Sequence, residues 1–319
     1  MLPVRCRILP GRASRRSWLL LVTALLITVV AGGCRSTTED GALRNRQASQ
    51  KLTDGIGREV SVPVRPERII SLAPNLTEIL FALGLEDQIV GVTDYCDFPA
   101  PALTKARIGD TIAPNPERII ALQPDLVLVT TSSQLENLTR QLDGLSIPVY
   151  VTNPRTVRDV IATIRLLGVV TGQPVRANEL AAEMERRLQL IEERVSRLPR
   201  VRVLYLLQQD PLIVPGRHTF LNDLINLAGG VSISGEEEAD YPQFSRETVL
   251  VRAPEVILLP SGHGAGGVDP LGLRRLFART PAVASSRVLT ISADLVDRPG
   301  PRIIDGLEQV SQALHPESP

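Results

Sequence analysis

Two glutamates recur in one local setting. Glu117 stands behind Asn115-Pro116, and seven residues after it come Pro124 and Asp125, where a strand opens; Glu247 stands behind Ser245-Arg246, and seven residues after it come Pro254 and Glu255, where another opens. Each lies in the first turn of a short predicted helix, with Asn115 or Ser245 as a good N-cap. A carboxylate there complements the helix dipole, worth about 0.3–1 kcal/mol, which explains either Glu taken singly. Because one occurs in each half of the chain, the pair also suits docking to a partner that offers two arginines. Other reactive types fall into no catalytic pattern. His218, His263 and His315 lack metal-ligand spacing, so no metal site is expected. Cys96 reads as a small apolar loop residue, and a Cys–His pair has no supporting motif. Gly262-His263-Gly264-Ala265-Gly266-Gly267 matches G-x-G-x-x-G in form. However, Val268-Asp269-Pro270 prevents the immediate helix that a dinucleotide site requires. A flexible loop is expected there. No G-x-S-x-G elbow is present.

These residues belong to a chain of 319 with 35 basic and 35 acidic side chains. That balance argues against a nucleic-acid partner, and 43% hydrophobic content predicts a packed core. The charge is uneven. Residues 1–17 hold five Arg and no acid, Trp18–Val30 is an apolar run of 13 residues, and Ala31-Gly32-Gly33-Cys34 follows. This is the layout of a secretory signal, too short for a comfortable membrane span. Cys34 after small residues resembles a lipobox, although Ala31 stands where Leu is usual. Residues 1–33 are expected to be a signal peptide, with Cys34 lipidated. Ser14-Arg15-Arg16 also resembles a twin-arginine signal. The three Cys are too scattered for a disulfide framework. Loss of the signal leaves a net charge of −5 and removes Trp18, the single Trp. Polar residues 34–55 read as a flexible tether.

The positioning elements alternate. Strands are predicted at 68–72, 88–92, 125–130 and 148–152, with helices from Pro74 to Leu83 and at 134–143 and 156–171. The grammar restarts at Val201 with strands at 201–207, 256–259 and 288–292 and helices at 218–228, 271–278 and 306–314. Such alternation predicts parallel sheets faced by helices. Between the halves, Leu180, Met184, Leu188, Ile191 and Val195 recur at helical spacing from Pro174 to Leu198. A helix of that length, about 37 Å, reads as a spine between two lobes. The domains expected are 56–172 and 200–319, joined by 173–199. Pro66-Glu67-Arg68-Ile69-Ile70 recurs as Pro116-Glu117-Arg118-Ile119-Ile120, without requiring a shared structure.

Arg68 to Glu78, Val90 to Pro99, the two Glu units, Ala228-Gly229-Gly230, Tyr241 to Glu247 and Arg298-Pro299-Gly300-Pro301-Arg302 together resemble the periplasmic-binding proteins of iron-complex and cobalamin ABC importers, nearest to those that bind vitamin B12. The resemblance spans about 58–314. It implies an α/β fold of two lobes with mostly parallel central sheets, joined by one long helix, with ligand held between them. It implies a monomer with no chemistry and no cofactor of its own, exported and lipid-anchored on the periplasmic or cell-surface side of the bacterial membrane. It also implies that Glu117 and Glu247 meet arginines of the ABC permease.

Within that frame, loops following strands face the crevice. Tyr95 and Tyr241 are candidates to cover a planar ligand from two sides. Asp97 shares the Tyr95 loop, Thr111 and Thr130 lie on further loops of the same crevice, His263 could touch a cobalt or iron centre, and Asp294 and Arg298 could reach ligand amides or carboxylates or pair with each other. Thr111, Thr130 and Leu295 stand where a corrinoid binder often has Trp, and so does Tyr241. A corrinoid is the expected ligand, with a ferric siderophore or haem as alternative. A reading from another class is a two-domain α/β enzyme using the same cleft.

Overall fold

A polar hairpin opens the part of the chain that the computed structural model describes, residues 48–131, 135–262 and 269–316. Its strands β1 (Ser49–Thr53) and β2 (Glu59–Pro63) are antiparallel, from Ser49 opposite Pro63 to Thr53 opposite Glu59. Residues 49–55, expected to be part of the tether, belong instead to this hairpin. The hairpin is fixed to the body. Asp54 is buried and accepts from the amides of Ile56 and Arg58 (3.1 and 2.9 Å). The Tyr150 hydroxyl donates to the Thr53 carbonyl (2.9 Å). The predicted signal and Cys34 lie outside the described residues, as does His263. Among those described, no helix is long and apolar enough to cross a membrane.

The first half then follows as β3 (Ile69–Ser71), α1 (Pro74–Ala82), β4 (Ile89–Val92), β5 (Ala106–Arg107), α2 (Pro116–Ala121), β6 (Leu126–Thr130), α3 (Leu135–Asp143), β7 (Val149–Thr152) and α4 (Val157–Val170). Its strands make one parallel sheet in the order β5-β4-β3-β6-β7. After α5 (Pro174–Val195) come β8 (Val201–Tyr205), β9 (Leu212–Ile213), α6 (Phe220–Leu227), β10 (Gly230–Ser232), β11 (Gln243–Phe244), α7 (Arg246–Arg252), β12 (Val256–Ser261), α8 (Pro270–Leu276), α9 (Pro281–Ala284), β13 (Val288–Ser292), α10 (Ala293–Val296) and α11 (Ile303–Leu314). Here the parallel order is β10-β8-β12-β13, with β9 and β11 paired antiparallel apart. The fold is the expected α/β class, two lobes with parallel sheets and one long helix between them. The residues around Asp294, read as loop, form the short α10.

Strands β3, β6, β7 and β12 are buried along almost their whole length and largely apolar, because both faces are covered. Alternate residues enter different cores, as a period of two requires. Leu126 and Leu128 join a cluster that continues along α5 into the second half, whereas Val127 and Val129 join a separate one. Val256 and Leu258 join the same continuous cluster, and Ile257 and Leu259 a third. On α5 the buried stripe is Ala177, Ala181, Met184, Leu188, Ile191 and Val195. Leu180, expected on that face, is only partly buried, and small residues hold α5 close to α4. A Cβ on Gly168 would come 2.2 Å from the Ala177 Cβ.

The two Glu units are structural copies. α2 and α7 are N-capped by Asn115 and Ser245, which accept from the amides of Arg118 (3.0 Å) and Thr248 (3.1 Å). They end near Gln123 and Ala253, both at φ 46° just ahead of a proline. Asp125 then accepts from the Arg68 amide (2.9 Å) and Glu255 from the Arg202 amide (2.9 Å). The Arg68 and Arg202 side chains donate back to the ends of the helices, at the carbonyls of Gln123 (3.0 Å) and Ala253 (3.1 Å). The shorter five-residue repeat is not structural, since its first copy enters β3 and its second is α2.

Candidate functional site: a cleft between the two sheets

The carboxyl ends of the strands converge on a cleft of about 610 Å³. From the first half it receives Ala73, Pro74 and Asn75 after β3, Tyr95 after β4, Thr111, Thr130 and Thr131 at the end of β6, and Asn153 to Arg155 after β7. From the second it receives Thr219 and Phe220 at the start of α6, Asp240 and Tyr241, Ala293 on α10, and Asp297 to Pro299 beyond it.

Of the residues expected from sequence, Tyr95, Thr111, Thr130, Tyr241 and Arg298 line this cleft. The tyrosines come from opposite halves and are half exposed, 47% and 53%. The Tyr95 hydroxyl donates to Asp110 (3.1 Å), and that hydrogen bond raises its pKa. Thr111 donates to Thr93 Oγ1 (3.3 Å). Asp97 and Asp294 are not in the wall. They stand behind it, where both hold Arg298 at 2.7 Å. Glu78 adds a third carboxylate at 3.5 Å, and the Arg298 side chain is only 10% exposed. Arg298 is thus committed to the protein, and one end of its anchorage is in the other half of the chain. Beside it, Arg302 makes a two-pronged contact with Glu78 (Nε 2.8 Å, Nη2 2.6 Å) and lies over the Phe98 ring at 3.9 Å. Asn75 donates to the Pro299 carbonyl across the same junction (3.2 Å).

Sequence reading passed over Arg155, Asn153, Phe220 and the particular part of Asp297. No motif marks them. Asp297 receives a short hydrogen bond from the buried Tyr205 hydroxyl. Burial pushes the Asp297 carboxyl from 3.8 to about 6, and the nearby Asp294 carboxylate pushes the same way. Burial likewise keeps Tyr205 protonated far above its ordinary range. Gln208 and Gln209, in the segment after β8, turn to local partners, the carbonyl of Asp210 and the amide of Asp269 (both 2.8 Å). Cys96 is buried between Thr77 and Thr93, at 3.1 and 3.2 Å. Among the described residues, no cluster of His, Cys, Asp and Glu could hold a metal ion. Glu117 and Glu247 are both exposed. A hydrogen bond from its own amide, then one with Ser245, holds the Glu247 carboxyl below its ordinary value.

The described lining offers two aromatic faces and a rim of hydroxyls and amides, an arrangement suited to binding. The model of the periplasmic binding protein family matches residues 69–295. The chain belongs to that family. A vitamin B12-binding protein of Vibrio cholerae serotype O1 is 33% identical over 252 residues, 79% of this chain and 90% of that one. An uncharacterized ABC transporter substrate-binding lipoprotein of Bacillus subtilis is 28% identical over 305 residues, 92% and 96% of the two chains. Among solved structures, a periplasmic heme-binding protein from Roseiflexus sp. RS-1 in apo form superposes with a TM-score of 0.72 at 26% identity, covering 79% of this chain and 99% of that one. This periplasmic binding protein is accordingly the exported substrate-binding component of an ABC importer, and the relatives are binding proteins rather than enzymes.

Proposed function

We propose that the cleft captures a corrinoid and that the protein presents it to the permease. The observation that carries this reading is the placement of Tyr95 and Tyr241, which enter the cleft from opposite halves. Tyr gives a large apolar face with a hydroxyl at its edge at low entropic cost. Around them Asn75, Thr111, Thr130 and Asn153 supply hydroxyl and amide groups suited to the amide-bearing rim of a corrin. The relative named for vitamin B12 supports the same ligand. A second reading, haem or another iron chelate, is favoured by the heme-binding structural neighbour.

In this proposal segments 56–172 and 200–319 act as the two lobes and 173–199 as their connection. Glu117 and Glu247, matched in fold and exposure, are the contacts that arginines of the permease receive, one from each lobe. Cys34 is the lipid attachment point, as the lipoprotein relative suggests, and the protein works as a monomer. Ligand retention tests the reading. The purified full chain in detergent is mixed separately with cobalamin, cobinamide, haemin and a ferric siderophore, then desalted. The readout is the ligand's own visible absorbance, because Trp18 is the only Trp and lies in the predicted signal. Co-elution of cobalamin at sub-micromolar affinity is expected. Retention of haemin or siderophore alone moves the ligand, and retention of none refutes the reading.

A further inference from the structure

Two arginines line the cleft among the described residues, and they differ in how far they are committed. Arg298 is 10% exposed and held by three carboxylates. Arg155 follows β7, its side chain is 47% exposed, and its ion-pair partner is Asp240 of the other half, at 2.5 Å and itself 40% exposed. Arg155 Nη1 also reaches the His218 carbonyl at 3.5 Å. An exposed pair of this kind contributes little net stability, so another anion can take the place of the aspartate. The position of the pair gives such an exchange a consequence. Arg155, Thr219 and Asp240 line the main cleft and also a second groove of about 520 Å³, which carries Arg217 and His218. The ion pair is the wall common to both.

We propose that Arg155 is the anion-recognising residue of the cleft and that Asp240 occupies it until ligand arrives. A phosphodiester or carboxylate substituent of the ligand displaces Asp240 from Arg155, and the substituent then runs into the second groove. The proposal rests on the chelate-binding reading above and adds the charge of the ligand to it. The guanidinium presents a planar donor fork that matches either anion in a two-pronged contact. Arg155 thereby selects ligands with a negatively charged arm over neutral ones sharing the same ring.

The test uses the full chain in detergent and two matched pairs of probes. Cobalamin carries a phosphodiester that cobinamide lacks, and haemin carries carboxylates that haemin dimethyl ester masks. Affinities are measured for the unaltered protein, Arg155→Gln and Asp240→Asn. Loss of a charge-assisted contact predicts that Arg155→Gln weakens the anionic probe by about tenfold or more and leaves its neutral counterpart within twofold. Asp240→Asn, which removes the competitor, is expected to tighten the anionic probe. An effect within the corrinoid pair alone assigns the phosphodiester, and one within the haem pair alone the carboxylate; either supports the proposal. Binding of the probes with no discrimination lost in Arg155→Gln overturns it and leaves the chelate-binding reading standing. Failure of the unaltered protein to bind any probe overturns both.

Discussion

Glu78→Gln is the substitution that most directly probes how the two halves are held. The Glu78 carboxylate, 2% exposed, accepts from Arg302 at 2.6 and 2.8 Å and lies 3.5 Å from Arg298. It belongs to α1, whereas Arg302 stands at the start of α11. Gln keeps the volume and one acceptor but removes the charge and turns an amide N–H₂ toward a guanidinium. Arg298 retains Asp97 and Asp294, so the loss falls on Arg302. Breaking a buried pair by removing one partner costs about 3–5 kcal/mol. The Arg302 side chain is 21% exposed, so water reaches it and the lower end applies, about 3 kcal/mol. For a body running from Ser49 to Pro319, at about 2 °C per kcal/mol for larger domains, Tm falls by about 6 °C.

The assay is thermal unfolding followed by circular dichroism, completed as a cycle with Arg302→Gln and the double variant. If Glu78 and Arg302 stabilise each other, the double variant is destabilised by clearly less than the two single effects added together. A Tm change below about 1 °C, or additive single effects, refutes the interlobe pairing as a source of stability.

Two further outcomes are expected. Asp297 titrates near 6 instead of 3.8, so between these values the folded protein binds a proton that the unfolded chain has released, and stability falls as pH rises through that window. Asp297→Asn keeps an acceptor for Tyr205, so it is expected to be more stable than the unaltered protein at pH 7.5, by up to about 3 kcal/mol. The difference vanishes near pH 4, and a Tm difference that does not change with pH contradicts the burial argument. Charge reversal at both Glu117 and Glu247 is expected to abolish ligand uptake by the assembled importer in proteoliposomes while leaving ligand retention within twofold. Unimpaired uptake would remove the docking assignment.

What was legible in the sequence follows the range of the interactions concerned. Local pattern was enough for the alternating strands and helices, for α5 between its prolines, and for the matched α2 and α7, because caps, proline breaks and apolar period act within a few residues. The β1–β2 hairpin escaped because Ser49–Thr53 is a polar sequence whose side chains alternate between exposed and partly buried, without the strong apolar signal of an inner strand. Arg298 was placed in the right crevice, and its pairing with Asp294, one of its two expected readings, is present at 2.7 Å; its wider anchorage was not legible. Its partners Glu78 and Asp97 lie 220 and 201 residues away, and no local spacing reports a contact over that separation. Arg155 escaped for a like reason, its partner Asp240 lying 85 residues away. A lone Arg between a strand and a helix carries no motif, and only the approach of Asp240 from the other half makes it part of the cleft.

The interlobe charges divide by burial, and that division bears on how the cleft can respond to ligand. At one side Glu78, Arg298 and Arg302 are nearly enclosed and bonded in several directions. Beneath the sheets, one apolar cluster continues from Ile69 along α5 to Leu314. Separating the halves there would return that surface to water at about 25 cal/mol per Å², with the cost of the buried charges added. At the other side, Arg155–Asp240 is exposed and made by two loop residues. Rearrangement on binding is therefore expected where little is lost, at the loops after β7 and before β11, with the Glu78 junction as the fixed point. Wide opening of the lobes is disfavoured by the same physics that makes Glu78→Gln costly. A ligand that gains only by exchanging one loop contact can still select its charge there without dismantling the core.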